Sequence, residues 1–257
     1  MRDRIQAALQ STETIRRARD FVVGSGLRRL PSALRRKLFY GQSHFCPVCE
    51  SDLRGFLVLN RDFLHWCPMC WSLQRHRLVW RFLHSSIIDI AGRRRRMLHI
   101  APEPGFADKL RRMPNLDYLS ADLYARDAMV RMDVCDIQYP DASFDLVYCS
   151  HVLEHVPDDR RALREFRRVL SVGGEAILLV PQRHGETIED PALTDPVERE
   201  RRFGQHDHVR IYGDDFALRI EAAGFRAREY VTADLSSPAE STRMGIDPDR
   251  IYHCIAA

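Results

Sequence analysis

The sequence predicts an α/β protein whose main domain contains a mostly parallel, doubly wound sheet. From Met97 onward, short apolar segments alternate with segments whose apolar residues recur at helical spacing. Strands are predicted at 97–101, 118–122, 130–134, 144–150, 175–181, 226–232 and 250–256. Such alternation is typical of parallel sheets that are covered by helices on both faces. Because ligands of these sheets bind at the carboxyl ends of the strands, we expect the functional residues there.

The charge distribution divides the chain of 257 residues into two parts. Residues 1–96 carry 19 Lys and Arg residues against 7 Asp and Glu residues, whereas residues 97–257 carry 20 against 29. The predicted segments are a basic helical arm at 1–43, a cysteine-containing module at 44–72, a linking helix capped by Ser72 with an Arg-rich linker at 73–96, and the main domain at 97–257. The basic arm either packs on the main domain or binds RNA or an anionic surface.

The sequence also predicts the compartment. No apolar run approaches the ~18 residues that a membrane-spanning helix needs. The first twenty residues lack the continuous apolar segment of a secretory signal, so we expect a cytoplasmic protein. In such a protein, an odd total of seven cysteines favours metal binding over disulfides.

Four of the cysteines form two Cys-Pro-x-Cys turns. Cys46 and Cys49 bound the first turn, Cys67 and Cys70 bound the second, and seventeen residues separate the two turns. This spacing is that of a zinc ribbon, in which each turn supplies two thiolates to one tetrahedral ion. Because four thiolates leave no coordination position for water, the predicted zinc is structural rather than catalytic.

Acidic residues follow the first three strands of the main domain. The segment MLHIAPEPGF at 97–106 contains an apolar strand, then Glu103, then Gly105 before a helix. Asp122 ends the second strand, where a carboxylate can accept hydrogen bonds from both hydroxyls of a ribose. Asp133 ends the third strand, where it can accept from the amine of an adenine, and Val134 offers a backbone N–H. These residues predict a nucleoside-binding site.

The stretch 133–181, which begins DVCDIQYPDASFDLVYCSHVLEHVPDD, resembles the type 11 group of class I S-adenosylmethionine-dependent methyltransferases. The resemblance extends over about 97–232, and it implies a seven-stranded Rossmann-like sheet and methyl transfer from S-adenosylmethionine. The implied contacts to the methionine moiety, the ribose, the adenine and the sulfonium are, respectively, Glu103 with Gly105, Asp122, Asp133, and Ser150 with His151.

A long polar segment at 182–212 separates the fifth strand from the next helix. Loops of this length within compact domains are usually functional, and in the resembling proteins this region lies over the pocket of the methyl acceptor. Methyl transfer is an in-line displacement at a sulfonium carbon, so the enzyme mainly aligns the acceptor and removes a proton from it. The candidates for this base are His151, His155, His206 and His208.

The fourth strand is followed by the motif His151-Val-Leu-Glu154-His155. Its spacing equals that of inverted zinc peptidases, but here it follows a strand instead of lying within a helix. It also resembles the E-x-x-E-H of ubiquinone-pathway O-methyltransferases, in which acidic and His side chains hold a divalent ion. Two interpretations stay open: a second metal site, or a turn that Glu154 and His155 merely orient.

The leading functional hypothesis is methyl transfer to a hydroxyl or amine of a small-molecule or glycan-type acceptor. The alternative is an RNA methyltransferase, because the front is basic and bacterial guanine-N1 ribosomal RNA methyltransferases also carry a zinc-binding front end. A third hypothesis is a non-catalytic binding module with the methyltransferase fold. It is favoured only by the first loop. The usual form of this loop is richer in glycine, whereas here Pro102 and Pro104 occupy flexible positions and Gly105 is the one glycine that remains.

Overall fold

The computed structural model describes residues 26–58 and 65–257, which form two compact units. Of the described residues, the first unit comprises 26–58, 65–88, Pro104–Phe106 and Thr232–Pro248, and the second comprises Asp89–Glu103, Ala107–Val231 and Asp249–Ala257. The part of the predicted basic arm that precedes residue 26 lies outside the described residues. Within the described ranges, no helix is long and apolar enough to cross a membrane.

The strands are short in the first unit and longer in the second. They are β1 (His44–Cys46), β2 (Ser51–Leu53), β3 (Leu57–Val58), β4 (His65–Trp66), β5 (Arg95–Ile100), β6 (Leu116–Asp122), β7 (Val130–Arg131), β8 (Phe144–Ser150), β9 (Leu170–Leu179), β10 (Ile188–Glu189), β11 (Arg210–Ile211), β12 (Phe225–Val231) and β13 (Arg250–Ala256). The predicted strands of the main domain correspond to β5–β9, β12 and β13, although β7 is shorter than predicted.

The helices connect these strands. They are α1 (Ser32–Phe39), α2 (Gln74–Leu83), α3 (Phe106–Arg111), α4 (Asp159–Val169), α5 (Pro196–Phe203), α6 (Phe216–Ala222), α7 (Thr232–Leu235) and α8 (Pro238–Met244), together with a 3-10 turn at Leu153–His155. Helix α4 shows how the sequence sets such an element: the Asp158 side chain accepts a hydrogen bond from the backbone N–H of Arg161 (2.9 Å). This bond satisfies one of the free N–H groups at the start of the helix.

Helix α2 lies in the first unit and begins one residue later than the sequence predicts. Its N-cap is Leu73, whose backbone N–H donates to the ring of His76 (3.1 Å), so the predicted cap Ser72 was wrong. The hydroxyl of Ser72 instead lies 3.2 Å from the sulfur of Cys70 and 3.4 Å from that of Cys46. In the same unit β1 pairs antiparallel with β2, and β3 with β4.

A buried arginine explains why Thr232–Pro248 belongs to the first unit. Arg77 is 0% exposed and donates hydrogen bonds to the carbonyl oxygens of Met244 (2.6 Å) and Gly245 (2.7 Å). It also donates to two carbonyls on either side of the second cysteine turn (3.0 and 2.8 Å). A buried charge requires such partners, so this segment packs beside α2. The predicted continuous domain at 97–257 differs from the structure here and at Pro104–Phe106.

The second unit contains a seven-stranded sheet in the order β12-β13-β9-β8-β5-β6-β7. The five strands from β9 to β7 run parallel, and β13 runs antiparallel to both of its neighbours. The predicted α/β architecture with a mostly parallel sheet is therefore confirmed. The chain leaves β5 for β6 on one side and later returns to β8 on the other. The strand order thus reverses between β5 and β8, where such sheets bind ligands.

Candidate functional site

The carboxyl ends of β5 and β8 carry unusual backbone conformations. Ile100 pairs with Cys149 in the two parallel strands, and the next residue after each strand has a positive φ: 50° at Ala101 and 54° at His151. Non-glycine residues rarely adopt this left-handed conformation, and where they do the strain often marks a functional site. Ala101 and His151 lie where the strand order of the sheet reverses, which is the expected position of a ligand site.

The two predicted nucleoside-binding acids lie on the same side of this point. Asp122 ends β6, and its Oδ1 accepts hydrogen bonds from the backbone N–H groups of Tyr124 and Ala125, both at 2.7 Å. Asp133 follows β7 and is exposed, and its Oδ1 accepts from the N–H of Cys135 (2.8 Å). Within the described residues, each carboxylate thus has one oxygen committed to its own loop. The other oxygen, Oδ2, remains for a ligand.

A cavity of about 460 Å³ adjoins these two loops. It is lined by Leu123, Val130, Arg131, Met132, Asp133, Asp136, Gln138 and Tyr139. Val134, whose backbone N–H was predicted to contact the base, is 7% exposed and belongs to the hydrophobic core of the sheet. The cavity size is within the range of small-molecule sites, about 300–1,000 Å³.

The residues of the loop after β5 belong to different units. Glu103 belongs to the second unit, is half-buried, and its backbone carbonyl accepts from the N–H of Ala107 (3.0 Å) at the start of α3. Gly105 belongs to the first unit and has φ +87°. A β-carbon at Gly105 would lie 1.9 Å from the carbonyl oxygen of Cys70. The second cysteine turn therefore requires a glycine at this position.

Replacing Gly105 with alanine is expected to destabilise the first unit by roughly 2–4 kcal/mol. A left-handed φ costs about 1–2 kcal/mol for a residue with a β-carbon, and overlap with the Cys70 backbone adds about 1–3 kcal/mol. Urea unfolding followed by tryptophan fluorescence measures the change. Gly55→Ala is the matched control, because nothing lies within 4 Å of a β-carbon there. Equal stability of the two variants would contradict the close approach at Cys70.

Beyond β8, the structure brings three predicted histidines around one buried carboxylate. Glu154 is 1% exposed, and the Nδ1 of His151 lies 3.3 Å from its Oε1. The rings of His155 and His208 pack edge to face, with centroids 4.7 Å apart. Burial lowers the pKa of His208, which favours the neutral ring. The fourth candidate, His206, is exposed and outside this cluster.

The predicted loop at 182–212 is an ordered segment that contains β10, β11 and α5. Arg210, 1% exposed, fixes it by donating hydrogen bonds to the carbonyls of Leu153 (2.8 Å), Val156 and Pro157 (2.8 Å). Its Nε also donates to Glu189 (3.2 Å). Because these carbonyls belong to the turn after β8, Arg210 holds the segment, including His208, against that turn.

Sequence reasoning missed the charged network around Arg210. The guanidinium of Arg219 binds Glu189 (2.8 Å) and Asp159 (3.0 Å), and this arginine holds the pKa of Glu189 down at about 2. Asp159 also accepts a hydrogen bond from the hydroxyl of Tyr212 (2.8 Å). The signal in the sequence is weak, because these residues are charged or polar and lie far apart along the chain.

The four predicted zinc ligands lie together in the first unit. The ligand atoms of Cys46, Cys49, Cys67 and Cys70 are all within 4.8 Å of one another. Two of the sulfur–sulfur distances, Cys46 to Cys70 and Cys49 to Cys67, are 3.7 Å. A tetrahedral ion with zinc–sulfur bonds of about 2.3 Å requires sulfur–sulfur edges of about 3.8 Å. The arrangement therefore fits one four-thiolate zinc ion.

The other three cysteines lie apart from this cluster. Cys149 and Cys254 are buried, and burial raises the pKa of both thiols. Cys135 is only half-buried, and burial raises the pKa of its thiol to about 11.

Comparison with known proteins finds matches that lie mainly in the second unit. Residues 105–178 match a family model described as a methyltransferase domain. The chain is 32% identical over 108 residues to 27-O-demethylrifamycin SV methyltransferase of Amycolatopsis mediterranei, covering 40% of this chain and 37% of that protein. It is 43% identical over 47 residues to ajmaline N-methyltransferase of Rauvolfia serpentina, covering 18% and 16%. The chain thus spans about a third or less of the length of these relatives.

Among solved structures, the YcgJ protein of Bacillus subtilis has a TM-score of 0.43 at 17% identity, covering 66% of this chain and 94% of that one. The 1,6-didemethyltoxoflavin-N1-methyltransferase of Burkholderia thailandensis, solved with S-adenosylhomocysteine, has a TM-score of 0.46 at 14% identity, covering 68% and 74%. The family match and the named relatives thus show that part of this chain is similar to methyltransferases.

Proposed function

We propose that the second unit binds S-adenosylmethionine and transfers its methyl group to a hydroxyl or amine of a small-molecule or glycan-type acceptor. The observation that carries this proposal is the position of Asp122 at the end of β6, with one carboxylate oxygen outside the loop hydrogen bonds. A carboxylate at this place in a doubly wound sheet is suited to the two hydroxyls of a ribose. The methyltransferase domain match at 105–178 supports the same cofactor.

The remaining cofactor contacts follow from the order of the strands. Asp133 and the cavity beside it would take the adenine, and Glu103 would contact the methionine moiety near the end of β5. Ser150, the last residue of β8, is 7% exposed, and its hydroxyl makes no hydrogen bond within the described residues. A buried hydroxyl of this kind is a candidate partner for the cofactor.

The chemistry asks little of the protein beyond alignment and proton removal. The methyl group moves from the sulfonium sulfur to the acceptor oxygen or nitrogen in line, and the sulfur keeps the bonding electron pair. A hydroxyl or protonated amine must also lose a proton to a nearby base. We assign this role to His151, because it directly follows Ser150 and is the histidine at the reversal point of the sheet. His155, His206 and His208 are the alternatives.

The four-cysteine cluster is proposed to hold a structural zinc ion. Cys46, Cys49, Cys67 and Cys70 would bind it through their thiolates, and their sulfur spacing supports this. A closed set of four thiolates crosslinks the two Cys-Pro-x-Cys turns but offers no position to a substrate. In this proposal zinc stabilises the first unit and takes no part in methyl transfer.

Binding of S-adenosylhomocysteine by calorimetry tests the cofactor site. Asp122→Ala is expected to weaken binding by about 1.5–3 kcal/mol, or roughly 10–150-fold, because hydrogen bonds to a charged group are lost. Asp127→Ala is the matched control, since Asp127 is an exposed acid of the same loop. Absence of binding by the unmodified protein would contradict the proposed function, and equal effects of the two variants would contradict the role of Asp122.

The acceptor class is tested with methyl-labelled cofactor and fractionated cell extract. We expect the label in a small-molecule or glycan fraction. The names of the rifamycin and ajmaline enzymes, which indicate small acceptors for those proteins, favour this outcome. Label in RNA, together with RNA binding that weakens steeply with salt, would instead support the RNA alternative and assign the basic front to phosphate contacts.

A further inference from the structure

We propose that Glu154, His155 and His208 bind a divalent transition-metal ion, separate from the cysteine cluster. Each residue offers one ligand atom, and these atoms all lie within 4.8 Å of one another. All three belong to the second unit: Glu154 and His155 lie in the 3-10 turn after β8, and His208 comes from the segment 182–212. The third ligand is thus 53 residues beyond the motif that contains the first two.

The carboxylate of Glu154 is the strongest evidence for a cation. Glu154 is 1% exposed, and within the described residues neither of its buried oxygens accepts a hydrogen bond. Its polar neighbour His151 contributes one ring nitrogen, 3.3 Å from Oε1. Burying carboxylate oxygens without hydrogen bonds is costly, so buried carboxylates are usually paired or coordinate metals. A metal ion at the cluster would give this carboxylate a charged partner.

The two imidazoles are oriented as metal-binding histidines usually are. The Nδ1 of His208 lies 3.1 Å from the carbonyl oxygen of Phe203, and the Nδ1 of His155 lies 3.3 Å from the carboxylate of Asp207. These oxygens favour the tautomer with hydrogen on Nδ1. Nε2 of each ring then carries a free lone pair. Ligating histidines almost always donate their other N–H to a carboxylate or a carbonyl in this way.

The backbone holds the two halves of the cluster together. The N–H of Val209 donates to the carbonyl of Glu154 (2.9 Å), so His208 is next to a residue anchored on the turn. Arg210 adds its hydrogen bonds to the carbonyl oxygens of the same turn. Because these contacts do not involve the ligand atoms, the three side chains are brought together before any ion binds.

The ligand set selects the class of metal. Two imidazole nitrogens and one carboxylate oxygen suit Zn²⁺, Co²⁺, Ni²⁺ or Fe²⁺, whereas Mg²⁺ and Ca²⁺ prefer oxygen ligands alone. Unlike the four-cysteine cluster, three protein ligands leave coordination positions for water or for oxygen atoms of an acceptor. This inference goes beyond the proposed function, since metal binding can be measured without cofactor or acceptor.

Titration with Co²⁺ of zinc-loaded protein that carries no polyhistidine tag tests the site. We expect calorimetry to detect one additional equivalent of Co²⁺. Its visible spectrum should show the weak bands of nitrogen and oxygen ligation, without the intense near-ultraviolet bands of thiolate ligation. His208→Ala should weaken this binding by more than about 100-fold, because loss of a hydrogen-bond partner of a ligand alone costs about 10–100-fold. Asp207→Asn should produce that smaller loss.

His184→Ala is the control for the ligand variants, because His184 lies in the same segment with a side chain that is 93% exposed. The His184→Ala variant should bind the additional equivalent of Co²⁺ as tightly as the unmodified protein does. Glu154→Gln provides an independent ligand variant, and thermal unfolding shows whether each variant is folded. The inference would be overturned if the unmodified protein bound no additional Co²⁺, or if folded His208→Ala bound Co²⁺ as tightly as the unmodified protein. If the unmodified protein did not bind S-adenosylhomocysteine, only the proposed function would be contradicted, and the metal site would be unaffected.

Discussion

Replacing Cys67 with serine is expected to release the zinc ion and to unfold the first unit. Among its described residues, this unit has only strands of two or three residues and helices of at most ten residues, so it buries few long apolar elements. Small zinc modules depend on the metal, whose binding contributes on the order of 10 kcal/mol to their folding. Loss of one of four thiolates removes much of this contribution and leaves Cys46, Cys49 and Cys70 without their shared ion.

Tryptophan fluorescence measures this result selectively, because all three tryptophans, Trp66, Trp71 and Trp80, lie in the first unit. We expect the emission to shift to longer wavelength in Cys67→Ser and in the unmodified protein after chelation. Circular dichroism should retain the signal of the large sheet. Cys135→Ser is the control, since Cys135 lies in the second unit outside the cluster. Native emission with one bound zinc in Cys67→Ser, or iron in place of zinc, would contradict the assignment.

The main sheet could be predicted because its strands are continuous apolar runs at regular intervals. Strands such as Phe144–Ser150 are buried on both faces, and burial on both faces produces this sequence pattern. The position of Asp122 at the end of β6 could be predicted for the same reason, whereas β7 ends at Arg131, two residues before Asp133. The sulfur spacing of the cysteine cluster likewise agrees with two short local turns.

Contacts between distant polar residues could not be predicted in this way. The hydrogen bonds of Arg77 to Met244 and Gly245 join positions 167 and 168 residues apart, and neither end has a distinctive sequence pattern. The approach of His208 to Glu154 depends on Arg210, which in the sequence is one of many arginines. Ser72 matches the pattern of a helix cap, but its hydroxyl contacts cysteine sulfurs instead. A local sequence pattern does not predict contacts that a buried charge makes with residues far away in the sequence.

Replacing Arg210 with methionine is expected to destabilise the second unit by about 3–5 kcal/mol. Methionine fills part of the volume but leaves the carbonyls of Leu153, Val156 and Pro157 without their buried donor. Removing one member of a buried charged network costs about this much because its partners stay buried. Arg219 still neutralises Glu189 in the variant, so the loss should fall toward the lower end of the range.

Urea unfolding followed by circular dichroism measures this change, and Arg201→Met is the matched control. The Arg201 side chain is 71% exposed and pairs with Glu198 on the surface of α5, so its replacement should leave the stability almost unchanged. Because Arg210 also holds the segment with His208 against the turn after β8, Arg210→Met should weaken binding of the additional Co²⁺ equivalent even at urea concentrations where the sheet is intact. Equal stability of Arg210→Met and Arg201→Met would show that the segment 182–212 is held by other contacts, such as the backbone bond from Val209 to Glu154.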